Sequence, residues 1–253
     1  MSTTHTSANP IAGQRVVVMG GSSGVGEATA AFFAADGAEV VITGRDQDRL
    51  DGAAARLGAH GSKVSAHRLD AADRAAVDAF FADFGAVDHL VLALSGSKGS
   101  GPFAELDLTE LAAGFDGKFW PHVQVLQAAL PVLRRDGSVT LVTAASARAA
   151  LPGTAGLAAI NGALEALVPP LAVELAPLRI NAVSPGVIDT PWWDRVPADQ
   201  REALFDGLAA VTPVGRVGRP EDIARAIHMF AANSFVTGVV LEATGGATLA
   251  TGR

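Results

Sequence analysis

Arg15-Val16-Val17-Val18-Met19-Gly20-Gly21-Ser22-Ser23-Gly24-Val25-Gly26 is the stretch whose reading decides the fold. Its first five residues make a short apolar run, as in a strand covered on both faces. Glycines at 20, 21, 24 and 26 follow, and 24–36 then carries a helical pattern. A tight strand-to-helix turn favours glycine in any case. The spacing G-x-x-x-G-x-G differs from the familiar dinucleotide fingerprint G-x-G-x-x-G, but the physics is shared. Glycines let the backbone approach a pyrophosphate, and a helix start offers free N–H groups and a positive dipole end. The stretch predicts a nucleotide-binding strand, loop and helix.

The alternation continues along the chain. Strand-like runs recur at 39–43, 63–67, 89–94, 138–143, 178–183 and 238–241. Between them, helical patterns cover 46–57, 71–84, 156–175 and 220–230. Leu50 and Leu57 stand one heptad apart, and Val77, Phe80, Phe81 and Phe84 share a helical face. The region 106–133 predicts two helices, and Pro169-Pro170 predicts a kink in 156–175. Residues 189–214 mix tryptophan, proline and charge and read as an excursion over the sheet. Ahead of all this, 1–12 is a polar tail expected to be mobile. Alternation sustained over 13–253 predicts one α/β domain, a doubly wound parallel sheet of the Rossmann type.

Composition narrows the function. The 253 residues are 49% hydrophobic and 18% charged, enough for a buried core. Formal charge is −7 with no basic block, which argues against nucleic acid as a partner. Cysteine is absent, excluding disulfides and thiol catalysis, and the six histidines show no i+3 or i+4 pairing, so no metal site is indicated. The polar N-terminus lacks a targeting pattern, and the longest uncharged stretch, 149–164, is broken by Pro152, Gly153, Gly156 and Asn161. The expectation is a cytoplasmic protein with no membrane partner. There is also no tyrosine anywhere in the chain.

The glycine loop resembles that of the short-chain dehydrogenase/reductase family. So do Leu69-Asp70-Ala71, Ile180-Asn181-Ala182-Val183-Ser184-Pro185-Gly186, Gly215-Arg216-Val217-Gly218-Arg219-Pro220-Glu221-Asp222 and Gly245-Gly246, in that order. The resemblance implies that Gly20, Ser22, Ser23, Val25 and Gly26 hold a nicotinamide dinucleotide. Asp70 and Ala71 would flank its adenine, Gly186, Ile188 and Thr190 would line the nicotinamide side, and Ser95 and Asn161 would complete the cofactor set. The end of the second strand bears on the choice of cofactor. A carboxylate there suits the ribose of NAD, whereas Thr43-Gly44-Arg45 presents a guanidinium suited to the 2′-phosphate of NADP. The alternative is a solvated arginine beside Asp46 and Asp48. NADP is expected in preference to NAD.

At the catalytic end the resemblance implies Ser, Tyr, Lys and Asn, with Tyr and Lys four apart on one helical face. This chain places Leu157 at the tyrosine position, Asn161 at the lysine, Ala144 at the serine and Lys118 at the asparagine. Lysine and asparagine have thus exchanged places, which keeps one ammonium and one amide in the pocket. Lys118 is expected to supply positive charge beside the nicotinamide ribose and Asn161 to hydrogen-bond it; the alternative is a solvent-exposed Lys118. With no tyrosine in any register, the candidates for proton handling are Lys118, Ser146, Ser95 and His122, with His122 equally a packing or surface residue. Lys118, Asn161 and Ser146 make up the expected catalytic set.

Arg148, in the loop after the fifth strand, suits a substrate carboxylate or phosphate, or is an ordinary surface residue. Trp192 and Trp193 fall in the family's substrate-lid segment, about 189–214. One is expected to pack inward and one to cover a pocket for an apolar or aromatic substrate, with plain lid packing as the alternative. The resemblance further implies a homodimer or homotetramer built on the long helices and Val239-Val240-Leu241. The function expected is an NADP-dependent oxidoreductase with non-standard catalytic residues acting on a small carbonyl or alcohol. Two alternatives remain open: a catalytically silent NADP-binding sensor or partner subunit, and a non-redox enzyme on the same scaffold.

Overall fold

The protein's structure, a computed structural model, describes residues 10–59, 61–82, 84–96 and 98–249. Seven parallel strands form one sheet in the order β3-β2-β1-β4-β5-β6-β7. In chain order the elements are β1 (Arg15–Met19), α1 (Gly24–Ala35), β2 (Glu39–Gly44), α2 (Gln47–Gly58), β3 (Val64–Arg68), α3 (Arg74–Ala82) and β4 (Val87–Leu92). There follow α4 (Leu108–Gly114), α5 (Trp120–Ala129), β5 (Leu133–Val142), α6 (Ala155–Glu174), β6 (Arg179–Pro185), α7 (Ala198–Val211), α8 (Pro220–Ala232) and β7 (Val240–Ala243).

Period-2 alternation divides the strands between two cores. From β1, Val17 and Met19 enter the layer shared with α3, α5 and α6, while Val16 and Val18 enter the layer with α1 and α8. From β4, Leu90 and Leu92 take the first layer and Val91 the second. Phe33, Ile223, Ile227 and Phe230 pack α1 and α8 together on one face; Val125, Leu164 and Val168 cover the other. By length and hydropathy α6 is the one described helix able to cross a bilayer. Its Ile160, Leu164, Val168 and Ala172 are buried, however, as in the core helix of a sheet protein.

Two local expectations change. Helical structure from 108 to 129 is one run rather than two helices, because a π turn (Phe115–Phe119) joins α4 to α5. Pro121 has no N–H to offer the carbonyl of Gly117, so the regular ladder is interrupted there and a wider turn takes its place. β5 begins at Leu133, earlier than the apolar run suggested, with a register shift between Val87 and His89 on β4. α6 runs on through Pro169 and Pro170, both of them exposed. Positions 1–9 of the expected tail lie outside the described residues; Ile11 is fully buried in the α1/α8 layer.

Strand order reverses between β1 and β4. The crevice at the carboxyl ends of these strands is where an open α/β sheet receives its ligand. The loops leaving the two strands meet here: Ala93 N donates to Met19 O at 2.9 Å.

Candidate active site

The floor of the crevice is the loop from Gly20 to Gly26. Gly20 has φ +83°, and a Cβ there would stand 2.6 Å from Ala93 O; a Cβ on Gly26 would stand 2.0 Å from Gly20 O. Only glycine fits these two positions, and the backbone therefore closes into a cradle. Ser23 begins α1 but its side chain makes no capping bond, which leaves the first-turn N–H groups to a ligand anion. Thr190 closes over the cradle, its methyl carbon 3.2 Å from where a Gly24 Cβ would lie.

Arg45 is exposed at the end of β2, and among the described residues no carboxylate pairs with it. Asp46 is engaged elsewhere: it caps α2 through Arg49 N at 3.1 Å and lies 3.7 Å from the Arg49 guanidinium. Asp70 is exposed and accepts from Ala72 N at 3.0 Å. Ala71 is buried, with its carbonyl bonded to Gln124. Ser95 is exposed beyond β4. Gly186 N donates to Ala243 O, and Ile188 is buried.

Deeper in the crevice, the π turn carries Lys118 inward. Lys118 is 8% exposed, so the solvent-exposed alternative does not hold. Its Nζ donates to Thr143 O at 3.1 Å. Burial pushes its pKa down to about 8, and the negative charge of Glu165 opposes the shift. His122, one turn on, is also buried, its Nδ1 2.8 Å from Lys118 O and its Nε2 3.1 Å from Leu92 O. Burial, with the Lys118 charge second, holds it neutral with a pKa of about 4. As a neutral ring it can donate to only one of these two carbonyls, and buried there it serves packing.

Asn161 and Ser146 come together: Asn161 Nδ2 donates to Ser146 Oγ at 3.2 Å and to Leu157 O at 2.9 Å. Among the described residues, Asn161 Oδ1 is buried with no partner. A buried amide oxygen seldom goes unpaired, so this acceptor calls for a donor from outside the chain. The orphaned Asn161 oxygen and the glycine cradle both fit a nicotinamide dinucleotide, whose ribose hydroxyls donate and whose pyrophosphate is an anion.

Arg148 does not await a substrate anion. Its Nε donates to Glu165 Oε2 at 3.0 Å and its Nη1 to Glu242 Oε1 at 3.1 Å, so two carboxylates already balance its charge. The tryptophans divide their roles. Trp193 packs edge-on against Phe205 and donates to Ile188 O at 3.0 Å. Trp192 reaches across to donate to Gly96 O at 3.3 Å, fastening its segment to the loop after β4, with the Arg195 guanidinium 3.3 Å over its ring. This segment is a 3₁₀ turn (Pro191–Trp193) followed by α7.

The sequence reading overlooked Glu165 and Thr143. Glu165 is buried and accepts from Thr143 Oγ1 at 2.9 Å. A signal was present, because Leu157, Asn161 and Glu165 are spaced four apart and share a face of α6.

A profile described as enoyl-(acyl carrier protein) reductase matches residues 20–248. Gluconate 5-dehydrogenase of Gluconobacter oxydans is 31% identical, over 97% of this chain and 99% of its own. The structure of MalC reductase/Diels–Alderase from Malbranchea aurantiaca superposes with a TM-score of 0.88 at 26% identity, covering 96% of this chain and 99% of its own. A small-chain dehydrogenase solved in complex with NADPH gives 0.78 at 33% identity, over 94% and 99% of the two chains.

Proposed function

This chain belongs to the short-chain dehydrogenase/reductase family and is an oxidoreductase of that type, and from that premise we propose that it uses NADPH to reduce a small carbonyl substrate, or runs the reverse oxidation. The observation that carries the reading is the buried Asn161 Oδ1 without a partner. It is a buried acceptor beside Ser146, on the helix that packs against the π turn bearing Lys118. The bound cofactor supplies hydride. The chain's own groups do the rest. The Gly20–Gly26 loop and the start of α1 hold the pyrophosphate, and Arg45 meets the 2′-phosphate as a charge-assisted pair. Asn161 accepts from the nicotinamide ribose, and Ser146 steadies its amide.

Proton handling falls to Lys118 in the absence of any tyrosine. An amine whose pKa lies at about 8 both carries a proton and can release it near neutrality. Leu157, which has no ionisable group, leaves that side of the pocket apolar, and Trp192 roofs it. These features suit a small apolar or aromatic substrate. The exposed apolar side chains of the long helices, Leu108, Trp120 and Val173, support association into a homodimer or larger homo-oligomer.

The test is calorimetric titration with NADPH and NADH. NADPH is expected to bind at least about tenfold more tightly, about 1.4 kcal/mol, and Arg45→Ser is expected to erase that difference while sparing NADH. A screen of carbonyls and imines, followed by loss of the reduced nicotinamide absorbance, then identifies the substrate class. Binding of neither nucleotide would overturn the proposal. NADPH binding with no turnover across the screen would favour the silent sensor.

A further inference from the structure

A line of hydrogen bonds leads from the crevice to the surface. Lys118 Nζ donates to the carbonyl of Thr143 (3.1 Å), and the hydroxyl of that same threonine donates to Glu165 Oε1 (2.9 Å). The other oxygen of Glu165 accepts from Arg148 Nε (3.0 Å). Arg148 passes on to Glu242 (3.1 Å), which accepts in turn from Thr248 Oγ1 (2.7 Å). Thr143, Glu165 and Lys118 are buried, whereas the Arg148 side chain is 45% exposed. Ammonium and carboxylate therefore lie on two sides of one residue without touching. Both oxygens of Glu165 are already occupied, so it is poorly placed to take the Lys118 proton and acts on it as a fixed charge through a low-dielectric interior.

We propose that Glu165 is a positioning residue that keeps Lys118 protonated, with Thr143 as the bridge between them and Arg148 as the counterweight that limits the carboxylate's pull. The inference rests on the reading of Lys118 as the cation of the cofactor pocket, and it assigns a role to a cluster that binds nothing itself. The titratable and charged groups around Lys118 among the described residues are few. His122 lies on its own helical run and is neutral. Glu165 faces it from α6, with Arg148 and Glu242 behind. The end of β5 offers the Thr143 carbonyl, and the loop after β4 offers Gly96, whose Cβ would lie 3.5 Å from Lys118 Cβ. One carboxylate thus opposes the whole burial penalty on Lys118.

The chain has three lysines, Lys63, Lys98 and Lys118, so the ε-carbon of each can be followed by NMR in ¹³C-lysine-labelled protein without any substrate. Lys63 and Lys98 are exposed and serve as internal references. The midpoint of Lys118 is expected to fall by about half a pH unit or more in Glu165→Gln, roughly a threefold loss of proton affinity. It is expected to fall less in Thr143→Val. In Arg148→Gln the shift is expected to be upward, because the carboxylate then loses its competing cation. An unchanged midpoint in Glu165→Gln, or shifts of one sign in Glu165→Gln and Arg148→Gln, would overturn the proposal; a merely structural role gives no opposed pair. If Glu165→Gln fails to fold, the Thr143 and Arg148 variants still decide the matter by their signs. Calorimetry separates the two readings. Opposed shifts with NADPH affinity indifferent to Lys118→Met would leave this inference standing and remove Lys118 from the cofactor pocket.

Discussion

Lys118 shows what a buried charge does to stability. Among the described residues, its buried ammonium has one neutral carbonyl as its hydrogen-bond partner. The folded state therefore disfavours the charged form, and the pKa falls from 10.5 to about 8. Between those values the unfolded chain binds the extra proton, so stability rises with pH across the window and the burden is full below about pH 8. Lys118→Met, which fills similar volume without charge, is expected to stabilise the protein at pH 7. The gain is about 1–2 kcal/mol once the orphaned Thr143 carbonyl is allowed for. It is also expected to weaken NADPH binding about tenfold. Urea midpoints and calorimetry on the same preparation check both; a variant less stable than the parent contradicts the account. Sequence singled out Lys118 and Asn161, because a swap within a recognisable pattern is visible residue by residue. It left open whether Lys118 is buried, since nothing local distinguishes an inward lysine from a solvated one. The fate of Arg148 was hidden too, because Glu242 lies 94 residues away in the chain.

Among elements, the run from α4 through the π turn to α5 is the informative one. Its two glycines look alike in sequence and differ in space. Gly117 is exposed, with nothing within 4 Å of a Cβ. Gly114 is buried, and a Cβ there would stand 2.8 Å from both Ile160 Cδ1 and Lys98 O. Gly117→Ala is therefore expected to stabilise by about 0.5–1 kcal/mol through reduced freedom of the unfolded chain. Gly114→Ala is expected to destabilise by roughly 1–3 kcal/mol through overpacking against α6 and the loop after β4. Denaturant unfolding of the pair distinguishes them, and equal effects would refute the geometry. Element type was readable wherever period and length agreed, as in β1 and α8. The π turn was not, because it answers a missing N–H at Pro121 and close packing at Gly114, and only the first of these is written locally. The start of β5 was missed for a related reason: Arg134, Arg135 and Asp136 are exposed on the strand and break the apolar run.

For the molecule as a whole, the alternation of strand and helix foretold a parallel sheet, and the right-handed crossover rule leaves few orders for seven strands. What the alternation does not show is which polar groups the layers enclose. His89, on a central strand, is buried with Nδ1 2.8 Å from Ser138 Oγ and Nε2 2.6 Å from Gln14 Oε1. That pairing satisfies a neutral imidazole, which accepts from the serine and donates to the amide oxygen. Burial, reinforced by the Arg179 charge, lowers its pKa to about 4, and His122 on the far side of β4 has the same value. Both native imidazoles stay neutral where the unfolded chain takes up protons, from about pH 6.5 down to about 4. Stability therefore falls with falling pH in that window, by roughly 2–3 kcal/mol for each histidine at its lower end. Asp222, held low at about 2 by the Arg216 guanidinium and the Arg219 N–H, adds a further loss only as pH drops through 3.8 toward 2. The two windows are separate, so the histidine contribution can be read alone. Urea midpoints are expected to be nearly constant from pH 7.5 to 7 and to decline steadily from 6.5 to 4.5. Down to about pH 5.5 the C2 protons of His89 and His122 in the folded protein should hold their neutral-form shifts. A flat midpoint with both imidazoles titrating near 6.5 would show that water reaches them, and that the two layers are not sealed at β4.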